Sequence, residues 1–142
     1  IITDAGFKNP WFKTVLKLGW DYIGRIRGDI HYDDGKGFKP TASLHPQATG
    51  KARHLGKFIL TKGNALKTHF YLYTHQLKGR KRLNRNGTHA KDKDSLTHAR
   101  GYREPFVIVS SLEERADVII KKYKSRMTIE ESLRDTKSRT YG

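Results

Sequence analysis

The sequence contains no cysteine, which excludes disulfide bonds and every thiolate metal site. It has no apolar run near the ~18 residues that a bilayer-spanning helix needs, and no basic amphipathic stretch with a broad apolar face. No membrane partner is expected. Acidic residues are scarce: 14 Asp and Glu stand against 29 Lys and Arg, a net charge of +15 over 142 residues. That excess points to a polyanionic partner, most simply nucleic acid. The seven histidines are scattered, with no H-x3-H pair, which argues against a zinc site. Gly35-Lys36-Gly37 lacks the spacing and the Ser or Thr of a phosphate-binding loop and reads as a turn. The chain opens IITDAGF, with neither Met nor a secretory leader, and stops at Tyr141-Gly142 just beyond a helical pattern. The expectation is a segment of a longer polypeptide, or a product of processing.

What is present starts with punctuation. Ile1 to Thr3 reads as the tail of a strand, with Asp4 at its end and Gly6 turning the chain. Asn9-Pro10 starts a helix, Pro being favoured in the first turn. Trp11, Val15 and Leu18 recur at helical spacing until Gly19. Trp11 and Trp20 are expected in the core. Trp20 to Ile26 reads as a second strand, so the opening is strand–helix–strand, the mark of an α/β fold. From Gly28 to His54 small and polar residues cluster. Phe58 to Leu60 and His69 to Leu77 read as strands. Residues 78–103 carry nine Lys or Arg and two acids, a solvated basic loop able to grip phosphates. Phe106 to Val109 returns to strand, Ser110 or Ser111 is placed to cap, and a helix is predicted over 114–137.

Two acids stand out by position. Asp4 lies at the C-terminal end of a strand, where open α/β sheets place their sites. Glu130 lies in YKSRMTIEESLRDTK, residues 123–137. On a helix turning about 100° per residue, Tyr123, Arg126, Glu130 and Lys137 share an arc of roughly 60°. Carboxylates drawn together from strand end and helix can hold Mg²⁺, which favours oxygen ligands and keeps positions for phosphate. Arg126 and Lys137 beside them suit phosphate binding. The plainer reading of Arg126 and Glu130 is an i, i+4 helix pair worth ~0.3 kcal/mol.

TDAGF at 3–7, NPWF at 9–12, LGWDYIGRIRG at 18–28 and Y-x2-R-x3-E-x6-K at 123–137 together resemble the DDE transposases of the insertion-sequence type-four family, closest to its cut-and-paste group that includes the Tn-ten transposase. The likeness covers nearly the whole chain and is weakest over 29–100. It implies a partial ribonuclease-H-like α/β core interrupted by a β-rich basic insertion, divided as 1–28 core, 29–111 insertion, and 112–142 the core helix carrying the catalytic Glu.

The resemblance further implies Mg²⁺, with Mn²⁺ able to substitute, held by three acids. Asp4 matches the second Asp and Glu130 the Glu. The first belongs to a strand upstream of residue 1, so this polypeptide alone is expected not to cut DNA. Tyr123, Arg126 and Lys137 match residues on the DNA phosphates of the transposon end. Arg25 and Arg27 match contacts to the strand at a flipped base. Phe106 takes the position of the aromatic that stacks on that base, with a buried strand residue as its plainer reading. The implied activity is hydrolysis of a phosphodiester at transposon ends and strand transfer into double-stranded target DNA. The complete enzyme is expected to be a homodimer acting in the bacterial cytoplasm, at the nucleoid. The competing reading is a catalytically dead, basic DNA-binding remnant of a transposase.

Overall fold

The computed structural model describes residues 1–75 and 104–141; for 134, 135 and 137–141 it describes the backbone only. The predicted basic loop at 78–103 lies outside the described residues, whereas the strand expected over His69 to Leu77 runs instead from Leu66 to Tyr73. Among the described residues seven strands form one mixed sheet: β1 (Ile2–Thr3), β2 (Ile23–Ile26), β3 (His31–Asp33), β4 (Phe38–Pro40), β5 (Arg53–Leu60), β6 (Leu66–Tyr73) and β7 (Phe106–Ser110). Their spatial order is β1-β2-β7-β6-β5-β3-β4. Only β1 and β2 run parallel, and the helix α1 (Asn9–Lys17) makes the crossover between them. The other paired neighbours are antiparallel.

The period of two along each strand sorts residues to two faces. Val107, Val109, Phe70 and Leu72 face one side, where Phe12 and Val15 of α1 cover them. Phe106, Ile108, Tyr71 and Ile23 face the other, where Ile119, Ile120 and Tyr123 of α2 (Ala116–Tyr141) cover them. The two helices thus sandwich the sheet, each over its own apolar cluster.

Local chemistry explains the ends of α1. Pro10 stands in its first turn, where a missing N–H costs nothing. Gly19, at a φ of 76°, takes the left-handed conformation that ends the helix. Asn9 fastens the start: its side-chain amide donates to the Leu60 carbonyl at 2.8 Å, to Thr61 Oγ1 at 2.8 Å and to the Asn64 carbonyl at 2.6 Å, at the end of β5 and in the turn that follows it. Gly24 lets α1 lie close, because a Cβ there would sit 2.6 Å from Phe12 Cζ.

Several sequence expectations are corrected. Trp20 is not a core residue; it is 56% exposed just past the Gly19 turn. The second strand starts at Ile23 rather than Trp20. Residues 29–54 hold two short strands and a 3-10 helix over Thr41–Gln47. The long helix starts at Ala116, two residues later than expected and four residues longer at its far end. Ser110 and Ser111 do not cap it. The Ser110 hydroxyl donates to the Tyr22 carbonyl at 2.8 Å, and Ser111 Oγ accepts from the Tyr22 N–H at 3.0 Å. Both serines close β7 onto the segment leading into β2, and the Arg115 carbonyl instead takes the first helical N–H groups.

Candidate active site

The candidate site lies on the α2 side of the sheet. Asp4 stands just past the end of β1, and one of its carboxylate oxygens, Oδ1, accepts from the Ala5 N–H at 2.7 Å. The Tyr123 hydroxyl, 119 positions away in sequence, donates to the same oxygen at 3.1 Å. Arg126 lies one helical turn further on. Its NH1 is 3.9 Å from Asp4 Oδ2, and its NH2 is 2.6 Å from Glu130 Oε1. One guanidinium therefore links the strand-end acid to the helix acid. Both carboxylates are half-exposed, Asp4 at 49% and Glu130 at 50%.

The helical register does this work. Tyr123, Arg126 and Glu130 share one face of α2, and Tyr123 anchors that face to the sheet. Its ring meets Phe106 edge-on at 5.9 Å, and its residue is only 2% exposed. Burial, and then the neighbouring Asp4 charge, push the Tyr123 phenol up to about 12. It remains a neutral hydrogen-bond donor to Asp4 throughout the physiological range. Its hydroxyl faces the acid rather than open solvent.

Of the remaining sequence candidates, Arg25 and Phe106 come together and Arg27 stands apart. The Arg25 guanidinium lies 4.2 Å from the centroid of the Phe106 ring, a cation–π stack between the adjacent strands β2 and β7. Arg25 Nε and NH2 are buried with no hydrogen-bond partner among the described residues. Burial pushes the guanidinium below its ordinary value, Arg27 adds to that shift, and the Asp4 and Glu104 charges oppose it. Phe106 is 9% exposed and belongs to the cluster under α2. Arg27 instead pairs with Glu104 at 3.0 Å, at the rim. Lys137 lies on α2, two turns beyond Glu130, and its side chain is outside the described residues.

Two contacts were not anticipated from sequence. Lys124 Nζ donates to the Tyr73 hydroxyl at 2.7 Å and sits 4.2 Å from that ring's centroid. His54 Nε2 and His69 Nδ1 lie 3.1 Å apart, with His54 stacked on Tyr71. The residues are distant in sequence, and only the β5–β6 register brings the histidines together.

Asp4 and Glu130 offer oxygen donors of the kind a hard divalent cation takes. Among the described residues no cluster of three or more acids, histidines or cysteines is gathered as a metal site.

A family model for the transposase DDE domain matches residues 1–142. The chain belongs to the transposase DDE domain family. No curated protein and no solved structure matches it. Membership makes this a transposase domain, a protein of DNA recombination, and it implies binding to DNA. Domains of the family generally use divalent metal ions. The mixed sheet flanked by helices is consistent with that family's fold. Among the described residues no helix is long and apolar enough to cross a membrane.

Proposed function

We propose that the chain is the catalytic part of a cut-and-paste transposase of the insertion-sequence type-four kind, built on a ribonuclease-H-like core, and that Asp4 and Glu130 are two of its catalytic acids. Residues 1–28 and 112–142 are read as parts of that core and 29–111 as its insertion. The observation that carries the reading is the Asp4–Arg126–Glu130 linkage. A domain that only bound DNA would have no use for two carboxylates on the face that meets phosphate, because they repel it. A nuclease needs them as metal ligands.

The donor set fits Mg²⁺, or Mn²⁺ in its place: two half-exposed carboxylates leave the remaining coordination positions to water and phosphate oxygens. When bound, such ions supply the Lewis acidity that activates the attacking oxygen and stabilises the leaving one at phosphorus. The chain's own residues prepare that event. The Tyr123 hydroxyl and the Ala5 N–H fix the Asp4 carboxylate through one oxygen, leaving Oδ2 directed towards Arg126. Arg126 offsets part of the charge of the two acids, and a DNA phosphate offers its guanidinium an alternative bidentate partner. Arg25, already desolvated and short of hydrogen-bond acceptors, gains its missing partners from a phosphate. Lys137 and Arg27 are assigned to neighbouring phosphates. Phe106 is assigned to stacking on a displaced base, which Arg25 must uncover by leaving its ring. The reaction is hydrolysis at the transposon end, followed by attack of the freed 3′-OH on target DNA. A homodimer and a place at the bacterial nucleoid accompany this reading.

The alternative is a DNA-binding remnant without catalysis, favoured by the lack of a third gathered acid among the described residues. One experiment separates the two. In the gene product that contains this chain, Glu130→Gln is expected to abolish Mg²⁺-dependent cleavage of a transposon-end duplex while keeping or raising DNA affinity. Cleavage at the unsubstituted rate in that variant would remove Glu130 from the active site.

A further inference from the structure

The charges around α2 divide into two kinds. Most cations whose partners are described meet a carboxylate. Arg126 meets Glu130 at 2.6 Å, Lys122 meets Glu114 at 3.0 Å, Arg115 meets Asp117 at 3.0 Å and Arg27 meets Glu104 at 3.0 Å. Arg25 and Lys124 are different. Arg25 stacks on Phe106 with two nitrogens that have no partner among the described residues. Lys124 gives one hydrogen bond to a neutral phenol, that of Tyr73, and no carboxylate among the described residues pairs with it.

Holding a lysine against a phenol costs side-chain entropy and leaves the full positive charge, with its other two N–H donors, available to a ligand. Position gives that charge a meaning. Tyr73 and Phe106 are cross-strand partners on β6 and β7, with ring centroids 6.2 Å apart. Arg25 covers Phe106 from β2 on the far side. Arg25 and Lys124 thus flank one aromatic row, Arg25 at the end nearer Asp4 and Lys124 at the other. The Tyr73 hydroxyl accepts from Lys124 and lies 3.2 Å from His75 Nδ1. A phenol whose oxygen is taken by an ammonium retains a proton to donate.

We propose that Lys124 and Tyr73 form a further phosphate seat, which grips the backbone of the DNA strand that Arg25 engages on the opposite side of Phe106. Lys124 supplies the charge, and the Tyr73 hydroxyl positions the ammonium and donates to a phosphate oxygen. This rests on the DNA-binding reading above and extends the contact surface from the acids across β2 and β7 to β6. The sequence placed Lys124 on no recognised stripe, because it lies on the flank of α2 opposite Arg126.

The test is fluorescence anisotropy of the 142-residue chain on a labelled mixed-sequence duplex between about 50 and 200 mM salt. Lys124→Met is expected to make the plot of log affinity against log salt shallower by about 0.9, the value of one phosphate contact on duplex DNA. Its affinity deficit should be greatest at the lowest salt and shrink about threefold across the range. Lys124→Arg should retain the unsubstituted slope, which separates lost charge from lost folding. Tyr73→Phe should weaken binding less than Lys124→Met. Lys122→Met, removing a cation already paired with Glu114, should change the slope by less than half as much. A Lys124→Met slope equal to that of the unsubstituted chain, with Arg25→Met shallower, overturns the seat and leaves the DNA-binding reading standing. Absence of salt-dependent binding in the unsubstituted chain overturns both.

Discussion

The two faces of the sheet are covered by helices of the same polypeptide, yet they are built to different ends. Under α1 the contacts are apolar, led by Phe12, Val15, Tyr22 and Phe70, and the Thr3 hydroxyl is the one buried polar group there left without a partner among the described residues. The Tyr22 hydroxyl donates to Thr68 at 2.7 Å, and Thr68 passes the chain on to the Ser110 carbonyl at 2.9 Å. Under α2 the apolar cluster is smaller, and a guanidinium with unmet donors is set into its edge. One face spends its burial on stability. The other holds a charge with donors unmet among the described residues, at a cost to the fold that the proposed phosphate contact would offset.

The contrast can be broken from either side, and the largest effect is expected under α1. Gly24→Ala places a methyl group 2.6 Å from Phe12 Cζ and 3.1 Å from Thr3 Oγ1. The overpacking should lower unfolding free energy by about 1–3 kcal/mol in urea denaturation; an unchanged midpoint would show that α1 is not closely seated on β2.

A smaller effect of opposite sign is expected under α2. Arg25→Met keeps an apolar contact with Phe106 and removes the orphaned donors, each costing about 1–3 kcal/mol, at the loss of a cation–π contact of about 0.5–2 kcal/mol. The net expectation is a gain of roughly 1 kcal/mol in stability together with weaker DNA binding. A variant that loses both stability and affinity would make Arg25 a structural residue.

The smallest effect concerns His69, on the same face of β6 as Tyr71. Burial, and then the neighbouring His54, hold its imidazole below the ordinary 6.5, with Lys57 adding to the shift and Glu113 opposing it. The unfolded chain therefore binds the proton more readily than the folded one. The stabilisation is complete above pH ~6.5 and is lost as pH falls from there towards the depressed folded value. Melting temperature should drop over that window, and His69→Gln should flatten the drop; an equal acid drop in that variant would assign it to other groups.

These contrasts also show which features the sequence could disclose. The ends of α1 were legible because Asn9-Pro10 and Gly19 act through their own backbone. The Tyr123–Arg126–Glu130 face was legible because a helix repeats every 3.6 residues, and Asp4 because strand ends in α/β sheets gather function. Ser110 and Ser111 misled because a tertiary partner, Tyr22, outbid the local cap. Trp20 misled because size suggests burial, whereas the Gly19 turn carries it to the surface. The short strands β3 and β4 have too few residues to show a period, and their pairing is what defines them. Arg25 on Phe106 and Lys124 on Tyr73 depend on the β2–β7–β6 register, which no local pattern encodes.

The Asn9 amide carries one more consequence. Its three acceptors lie at the end of β5 and in the turn that follows it, one of them the side chain of Thr61, held at a φ of 56° that a β-branched residue seldom adopts. The short stretch that leaves Asp4 is thereby riveted at its far end to the hairpin that the sequence reading assigned to the insertion. A hairpin borrowed from a related protein would not be an interchangeable cassette: without a matching turn to receive Asn9, it would leave the first helix unmoored and carry the acid out of alignment with its partner on the long helix. Inheritance of the insertion and of the strand–helix opening should therefore go together, as one hinge-pinned unit.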